Sequence, residues 1–201
     1  GKSELCSIRF PAWYLARHQQ NQVIACSYSE SLAYTFSYAV RETIASNHFQ
    51  NLWKIDLDTA GAIRWQLSNK ENRRASYIAA DIGGGITGEG EDLLIIDDPI
   101  KNHEQADSQI YRESTYNWYK TTARTRLQPD GAIIIIQTRW HVDDLAGKLL
   151  KDAEINPETD QWEVINLPAI NEEQALWPEH YPLEVLKTIR AVLGERDFTA
   201  L

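Results

Sequence analysis

The strongest constraint in this sequence is a run of four branched apolar residues, Leu93-Leu94-Ile95-Ile96, that stops abruptly at Asp97-Asp98-Pro99. A strand with no polar alternation has to be buried on both faces, and such strands belong to parallel sheets covered by helices. Proline cannot donate to a strand ladder, so the strand ends there. A second run, Ile133-Ile134-Ile135-Ile136, ends in the polar tip Gln137-Thr138-Arg139. Helical periodicities separate the short apolar runs, the pattern of an α/β domain with a mostly parallel sheet. Open α/β sheets bind ligands beyond the carboxyl ends of their strands, so the two polar tips are where function is expected.

The chain of 201 residues, 43% hydrophobic and 24% charged, has the make-up of one folded domain. At this length roughly 70% of the unfolded surface is buried, and no disulfide or metal staple is required. The longest strongly apolar run, 131–136, falls far short of the ~20 residues of a membrane-spanning helix. Lys and Arg number 20 against 29 Asp and Glu, a net charge of −9. That balance argues against a surface that is all nucleic-acid cradle, while leaving room for a local DNA-facing patch. Cys6 and Cys26 are too few for a disulfide framework and read as buried free thiols in a reducing compartment, the cytoplasm.

The periodicities predict a helix from Lys2 to about Arg17, kinked or ended at Pro11, and a buried strand over 22–27. Ser29 is expected to cap an amphipathic helix reaching about Ser46, followed by an aromatic-containing loop. Strands are expected over 63–67, 75–80, 92–96, 132–137 and 162–167, and helices over 104–127, 141–151 and 183–193. Gly83 to Gly90 is the most glycine-dense stretch and reads as a loop. The seven tryptophans are expected to be mostly core anchors, with Trp13 or Trp140 as exceptions. His103, His141 and His180 do not combine with cysteines or close carboxylates at metal spacing.

Three elements carry candidate chemistry. Gly1-Lys2-Ser3 at the head of a helix has the form of the end of a phosphate-binding loop, GxxxxGK[ST]. In such a loop backbone N–H groups hold phosphate oxygens, the lysine neutralises the β- and γ-phosphates and the serine hydroxyl ligates Mg²⁺. The plain alternative is an ordinary helix start or an expression scar. Four apolar residues leading into Asp97-Asp98 form the pattern of a Walker B strand, which holds Asp97 rigidly for the metal and Asp98 for an attacking water. Its alternative is a strand ending in an acidic turn. The tip Gln137-Thr138-Arg139 suits a reader of the γ-phosphate, or else a solvated end with Arg139 paired to Asp143 or Asp144.

Gly1-Lys2-Ser3-Glu4, Phe10-Pro11-Ala12-Trp13, Ser27-Tyr28-Ser29, the glycine stretch 83–88, Leu94 to Asn102, Thr138-Arg139-Trp140-His141, Asp144-Leu145 and Leu176-Trp177-Pro178-Glu179 together resemble the ATPase domain of the large terminase subunit of tailed bacteriophages. The resemblance runs nearly end to end. It implies a RecA-like P-loop NTPase fold of the ASCE type, hydrolysing ATP with Mg²⁺ to drive double-stranded DNA into a procapsid. It further implies a homo-oligomeric ring at the portal protein, the terminase small subunit as partner, and work in the host bacterial cytoplasm. Carried over residue by residue, Gly1, Lys2 and Ser3 would hold phosphate, Ser3 and Asp97 the metal, and Asp98 the catalytic water. Thr138 and Arg139 would belong to the motif that couples hydrolysis to motion.

The sequence departs from the family in two respects. Asp98 stands where many terminases have the longer glutamate, and Glu89 stands where the glycine loop often carries an arginine acting on a neighbouring subunit. That arginine is left unassigned, with Arg73, Arg74, Arg124 and Arg126 as weaker candidates. Two enzymatic rivals are a helicase-like ATPase, which lacks its further motifs between Asp98 and Thr138, and a two-metal nuclease built on Asp97, Asp98, Asp143 and Asp144. A third is an inert interaction module. On the resemblance, residues 1–201 are expected to be a motor domain without the first five positions of its phosphate loop and without the nuclease domain. Each missing charge-assisted hydrogen bond is worth roughly 1.5–3 kcal/mol. Calorimetry on these 201 residues is therefore expected to find Mg-ATP binding weaker than millimolar; millimolar or tighter binding contradicts the expectation.

Overall fold

The computed structural model describes residues 1–68, 75–86 and 90–200, and it divides into two compact units, 1–101 with 108–137 and 102–107 with 138–201. The first unit is built on a six-stranded sheet. Its strands are β1 (Gln22–Ser27), β2 (Asp56–Ala60), β3 (Arg64–Ser68), β4 (Ser76–Asp81), β5 (Glu91–Asp97) and β6 (Leu127–Ile136), in the order β2-β3-β4-β1-β5-β6. The four strands β4, β1, β5 and β6 run parallel, and β2 and β3 extend the β4 edge antiparallel. Leu93 to Ile96 are buried, as a strand without alternation requires.

The β5–β6 register shifts between Glu91 and Leu93, and from Leu93 to Asp97 the register across the parallel strands is unbroken. Ser27 lies opposite Asp81 on one side and Asp97 on the other, and Asp97 lies opposite Ile136. The tips of four strands therefore end at one level.

Helical structure begins at Lys2. Glu4–Arg9 is π-helical and passes directly into α1 (Phe10–Arg17), with Pro11 in the first turn of α1. Pro11 therefore neither ends nor interrupts the helix; lacking an N–H, it sits where the hydrogen-bond register changes. Ser29 caps α2 (Glu30–Ala45) by accepting from the Leu32 N–H at 3.3 Å. Within the core below α2, Trp65 and Tyr77 stack with centroids 4.9 Å apart. The Trp65 indole N–H donates to the Ser37 hydroxyl at 3.0 Å, which in turn donates to the Ala62 carbonyl. Truncating a buried aromatic of this kind typically costs about 3–5 kcal/mol.

Several expectations are corrected. The stretch after Ser46 holds a helix, α3 (Asn47–Trp53), because the Ser46 hydroxyl caps it by accepting from the Phe49 N–H. Strand β2 has no counterpart among the expected strands; its composition is polar, and an edge strand buries little. The helix expected over 104–127 is interrupted at Ser108, whose backbone is extended, giving α4 (His103–Asp107) and α5 (Gln109–Trp118). It continues as a π-helical turn, Tyr119–Ala123, and a 3₁₀ turn, Arg124–Arg126. Of the tryptophans, only Trp65 and Trp118 are buried, while Trp13 and Trp177 are exposed and Trp53, Trp140 and Trp162 half-buried. Cys26 is buried as expected, but Cys6 is half-buried.

The second unit holds α4, α6 (Leu145–Ile155), a two-stranded hairpin of β7 (Ile170–Asn171) and β8 (Gln174–Ala175), α7 (Leu183–Leu193) and α8 (Glu195–Ala200). Residues 162–167, expected as a strand, are in no strand among the described residues, and Val164, Ile165 and Leu167 are exposed. Alternation records a preference for extended backbone, which becomes a strand only where an edge accepts its hydrogen bonds. Glu172 and Glu173 both have positive φ, 47° and 63°, the geometry that a two-residue hairpin turn demands. His103 pairs with Asp197 at 2.9 Å and meets the Trp140 ring edge-on, and Arg196 pairs with Asp107, so α4 is fastened to α8. No helix among the described residues is long and apolar enough to cross a membrane.

Glu91 opens β5 fully buried, and neither carboxylate oxygen has a hydrogen-bond partner among the described residues. Burial pushes its pKa up to about 8, with Arg126 partly opposing the shift. The folded protein therefore holds this proton more tightly than the unfolded chain does, and stability falls as pH rises from about 4.5 to about 8. Urea denaturation is expected to show a loss on the order of 3 kcal/mol between pH 5 and pH 8.5, at ~1.4 kcal/mol per tenfold change in proton affinity. Glu91→Gln should flatten that dependence; an unchanged slope in the variant would assign the effect elsewhere.

Candidate functional site

The C-terminal tips of the parallel strands gather the polar groups. Asp97 ends β5 at 1% exposure, and its Oδ2 accepts from the Ser7 hydroxyl at 2.5 Å. Its Oδ1 is buried with no partner among the described residues. The same holds for the Ser27 hydroxyl at the tip of β1 and for both amide atoms of Gln137 just past β6. Buried polar atoms are nearly always satisfied in folded proteins, so unpaired groups on three adjacent strand tips require an explanation.

Asp98 adopts φ +48°, a left-handed conformation that is strained for most residues and tolerated by Asp and Asn. Its backbone is held from both sides: its N–H donates to the Ile136 carbonyl at 2.8 Å, and its carbonyl accepts from the Tyr28 N–H at 3.2 Å. The turn places Asp98 half-buried directly after the Asp97 tip.

The start of the chain comes to this same end of the sheet. Lys2 is exposed, and its Nζ donates to the Gln137 carbonyl at 3.4 Å. The Gly1 carbonyl accepts from the Leu5 N–H at 3.1 Å, so Gly1 joins the first helical turn. Ser3 is half-buried at the N-cap of the π-helical segment. The hydroxyl that reaches Asp97 is that of Ser7, four residues further along, and sequence reasoning missed it. The available signal was a second serine one turn after Ser3 on a helix otherwise apolar on its inner face.

The glycine stretch begins beside these tips. The Ile82 N–H donates to the Ser27 carbonyl at 2.9 Å, Gly83 has φ +93°, and the Gly84 carbonyl accepts from the Trp118 indole at 3.4 Å. Arg73, Arg74 and the stretch 87–89, which includes Glu89, lie outside the described residues. Arg124 and Arg126 precede β6, at the opposite end of the parallel strands from Asp97.

Thr138 and Arg139 belong to the second unit. Arg139 Nε donates to Asp144 Oδ2 at 2.8 Å, and Asp144 Oδ1 caps α6 by accepting from the Gly147 N–H at 2.9 Å. This cap starts α6 at Leu145 and not at His141, since the residues before Asp144 are held in turns. Gly147 is obligatory there, because a Cβ would lie 1.8 Å from the Val142 carbonyl oxygen. Of the alternatives open in the sequence, the Arg139–Asp144 pair is the one the structure contains.

Residues 1–193 match the family model described as terminase large subunit, T4likevirus-type, N-terminal. The chain belongs to the terminase large subunit family. A search of curated proteins returned no match. Among solved structures, a variant of the large terminase ATPase domain of Thermus phage P74-26 superposes with a TM-score of 0.59 at 14% identity, covering 98% of this chain and 81% of that one. The HK97 bacteriophage large terminase gives a TM-score of 0.49 at 15% identity, over 90% of this chain. A large terminase from a thermophilic bacteriophage gives 0.46 at 7% identity, over 77% of this chain. This terminase chain spans 39% of the HK97 protein and 36% of the thermophilic phage protein. The P74-26 superposition shows that it has the RecA-like α/β fold, a mostly parallel sheet flanked by helices.

The cap at Asp144 can be separated from its charge. Asp144→Ala is expected to destabilise by about 1–2 kcal/mol, since N-cap removal typically costs ~1 kcal/mol and the Arg139 pair is half-exposed. Asp144→Asn keeps the cap through its one carbonyl oxygen but turns its NH₂ toward the Arg139 Nε–H, so it loses the Arg139 pair while the cap remains. Amide exchange at Gly147 distinguishes the two: it should accelerate in the alanine variant alone.

Proposed function

We propose that this terminase chain is an ATP-hydrolysing motor domain that drives double-stranded DNA into a viral procapsid. The observation that carries the reading is the set of buried oxygens and amide atoms, unpaired among the described residues, on the tips of β1, β5 and β6, beside Lys2 and the head of the N-terminal helix. Their chemistry suits a hydrated divalent cation and an oligophosphate: hard oxygen donors from Asp97 and Ser3, and a flexible ammonium from Lys2. Bound there, Mg²⁺ would neutralise charge on the β- and γ-phosphates. Lys2 and the adjoining backbone at Gly1 would hold phosphate, Ser3 and Asp97 would hold the metal, and Asp98 would accept a proton from the attacking water. As the water oxygen bonds to the γ-phosphorus, the bond from phosphorus to the β–γ bridging oxygen breaks, and the electron pair leaves with ADP. Gln137 would sense the γ-phosphate, and Thr138 with Arg139, next in the chain, would carry its loss onward.

The partners that would go with this activity are double-stranded DNA held by non-specific phosphate contacts, the terminase small subunit, the portal protein and further copies of this chain in a ring, in the host bacterial cytoplasm. The two-metal nuclease reading is weakened, because both Asp144 oxygens are engaged by Arg139 and Gly147. Among the described residues no cluster of three or more His, Cys, Asp or Glu side chains is arranged to hold a metal.

Asp98→Asn tests the assignment without disturbing the turn, since Asn also tolerates the left-handed conformation. In the full-length protein carrying this chain, ATPase kcat is expected to fall at least ~100-fold, as loss of a general base does. Packaging should fail while DNA cleavage persists. Lost cleavage with retained ATPase would instead favour a nuclease role for these aspartates.

A further inference from the structure

The Ser7–Asp97 contact is not explained by packing alone. Both side chains are buried, at 0% and 1% exposure, and the 2.5 Å separation is that of a short O–H to carboxylate bond. Serine has one proton to donate, and here it goes to Oδ2, so the two oxygens of one carboxylate differ: one is fixed and the other is unpaired among the described residues. The other groups that feel this charge do not bind it. Burial first and the Asp97 charge second raise the Cys6 pKa, and burial above all raises that of the Tyr77 phenol, so both stay protonated beside it.

Local helix geometry sets which serine makes the bond. The Glu4–Arg9 segment opens with an α-type bond from the Leu5 N–H to the Gly1 carbonyl and closes with a π-type bond from the Phe10 N–H to the Leu5 carbonyl. In either winding, residues four apart lie nearly on one face. Ser3 and Ser7 therefore share the side turned toward β5, with Ser7 deeper. Resting on the ATPase reading above, we propose that Ser7 is a positioning residue: its hydroxyl fixes the rotation of the Asp97 carboxylate through Oδ2 and leaves Oδ1 as the oxygen offered to a divalent cation. Ser3 is thereby kept free for the metal itself, and the two serines divide two tasks. Groups that orient metal-binding side chains typically change metal affinity about 10- to 100-fold when removed.

The test uses the full-length protein, with Mn²⁺ as a paramagnetic substitute for Mg²⁺. Mn²⁺ affinity in the presence of a non-hydrolysable ATP analogue is read by electron paramagnetic resonance, and stability of the metal-free protein by urea denaturation. Ser7→Ala is expected to weaken Mn²⁺ binding about tenfold, and Ser7→Thr, which keeps the hydroxyl, to restore it. Without metal, the stability effects of Ser7→Ala and Asp97→Asn should be non-additive. Should the alanine variant not fold, Ser7→Cys fills the site with a weak donor and should likewise bind Mn²⁺ less tightly. Parental Mn²⁺ affinity in a folded Ser7→Ala or Ser7→Cys protein overturns the positioning role and leaves the ATPase reading standing. If the parent protein itself binds no Mn²⁺ with nucleotide, the ATPase reading fails and the positioning role fails with it.

Discussion

Unbroken register over the C-terminal halves of β4, β1, β5 and β6, from Leu93 to Asp97 on β5, sets the level at which the polar groups at the end of the sheet emerge. In a parallel ladder a residue's neighbours are fixed by backbone hydrogen bonds, and a slip of one residue turns its side chain to the other face. Asp97 therefore stands beside Ser27 and level with Ile136, and the residues following each tip start from the same line. Apolar burial of Leu93 to Ile96 and of Val23 to Cys26 holds that register. The cost is borne at the tips, where Ser27, Asp97 and Gln137 keep buried polar atoms unpaired among the described residues.

Those unpaired atoms and the left-handed Asp98 belong together physically. A buried polar group without a partner costs roughly 1–3 kcal/mol, and a residue forced to positive φ adds to that. Such costs persist only where the surroundings over-determine them. Here the backbone bonds from Asp98 to Ile136 and Tyr28, and the buried hydroxyl of Ser7, supply the constraint. A sheet end that is rigid, desolvated and incompletely paired suits a ligand that brings its own charges.

Much of this arrangement was legible in the residue order. Asp97 and Asp98 could be placed because an apolar run followed by Asp-Asp-Pro leaves a strand one way to end, and the helix start at Gly1-Lys2-Ser3 was readable from its motif. The Ser29 cap and the strands over 22–27 and 75–80 followed from period and capping chemistry. Other features depended on partners distant in sequence. The broken helix at Ser108, the uncovered tryptophans and the irregular stretch 162–167 are decided by which surfaces meet, and a local pattern does not record that. Arg139 shows the limit within a single residue: two aspartates were available to it, and the cap geometry of α6 selected Asp144.

By itself the sequence determined the class of sheet, the strand whose end carries the carboxylates, the helix that opens the chain and the family to which they belong. Each follows from short-range rules of burial, period and termination. Only the tertiary structure decided that Ser7 donates to Asp97, that Lys2 reaches the end of β6 and that Asp98 takes a left-handed turn. Ser7 and Asp97 are 90 positions apart in sequence, Lys2 and Gln137 135 apart, and strand order and helix register bring them into contact. A hydrogen bond 2.5 Å long depends on those coordinates to within a fraction of an ångström, and residue order alone does not carry that information.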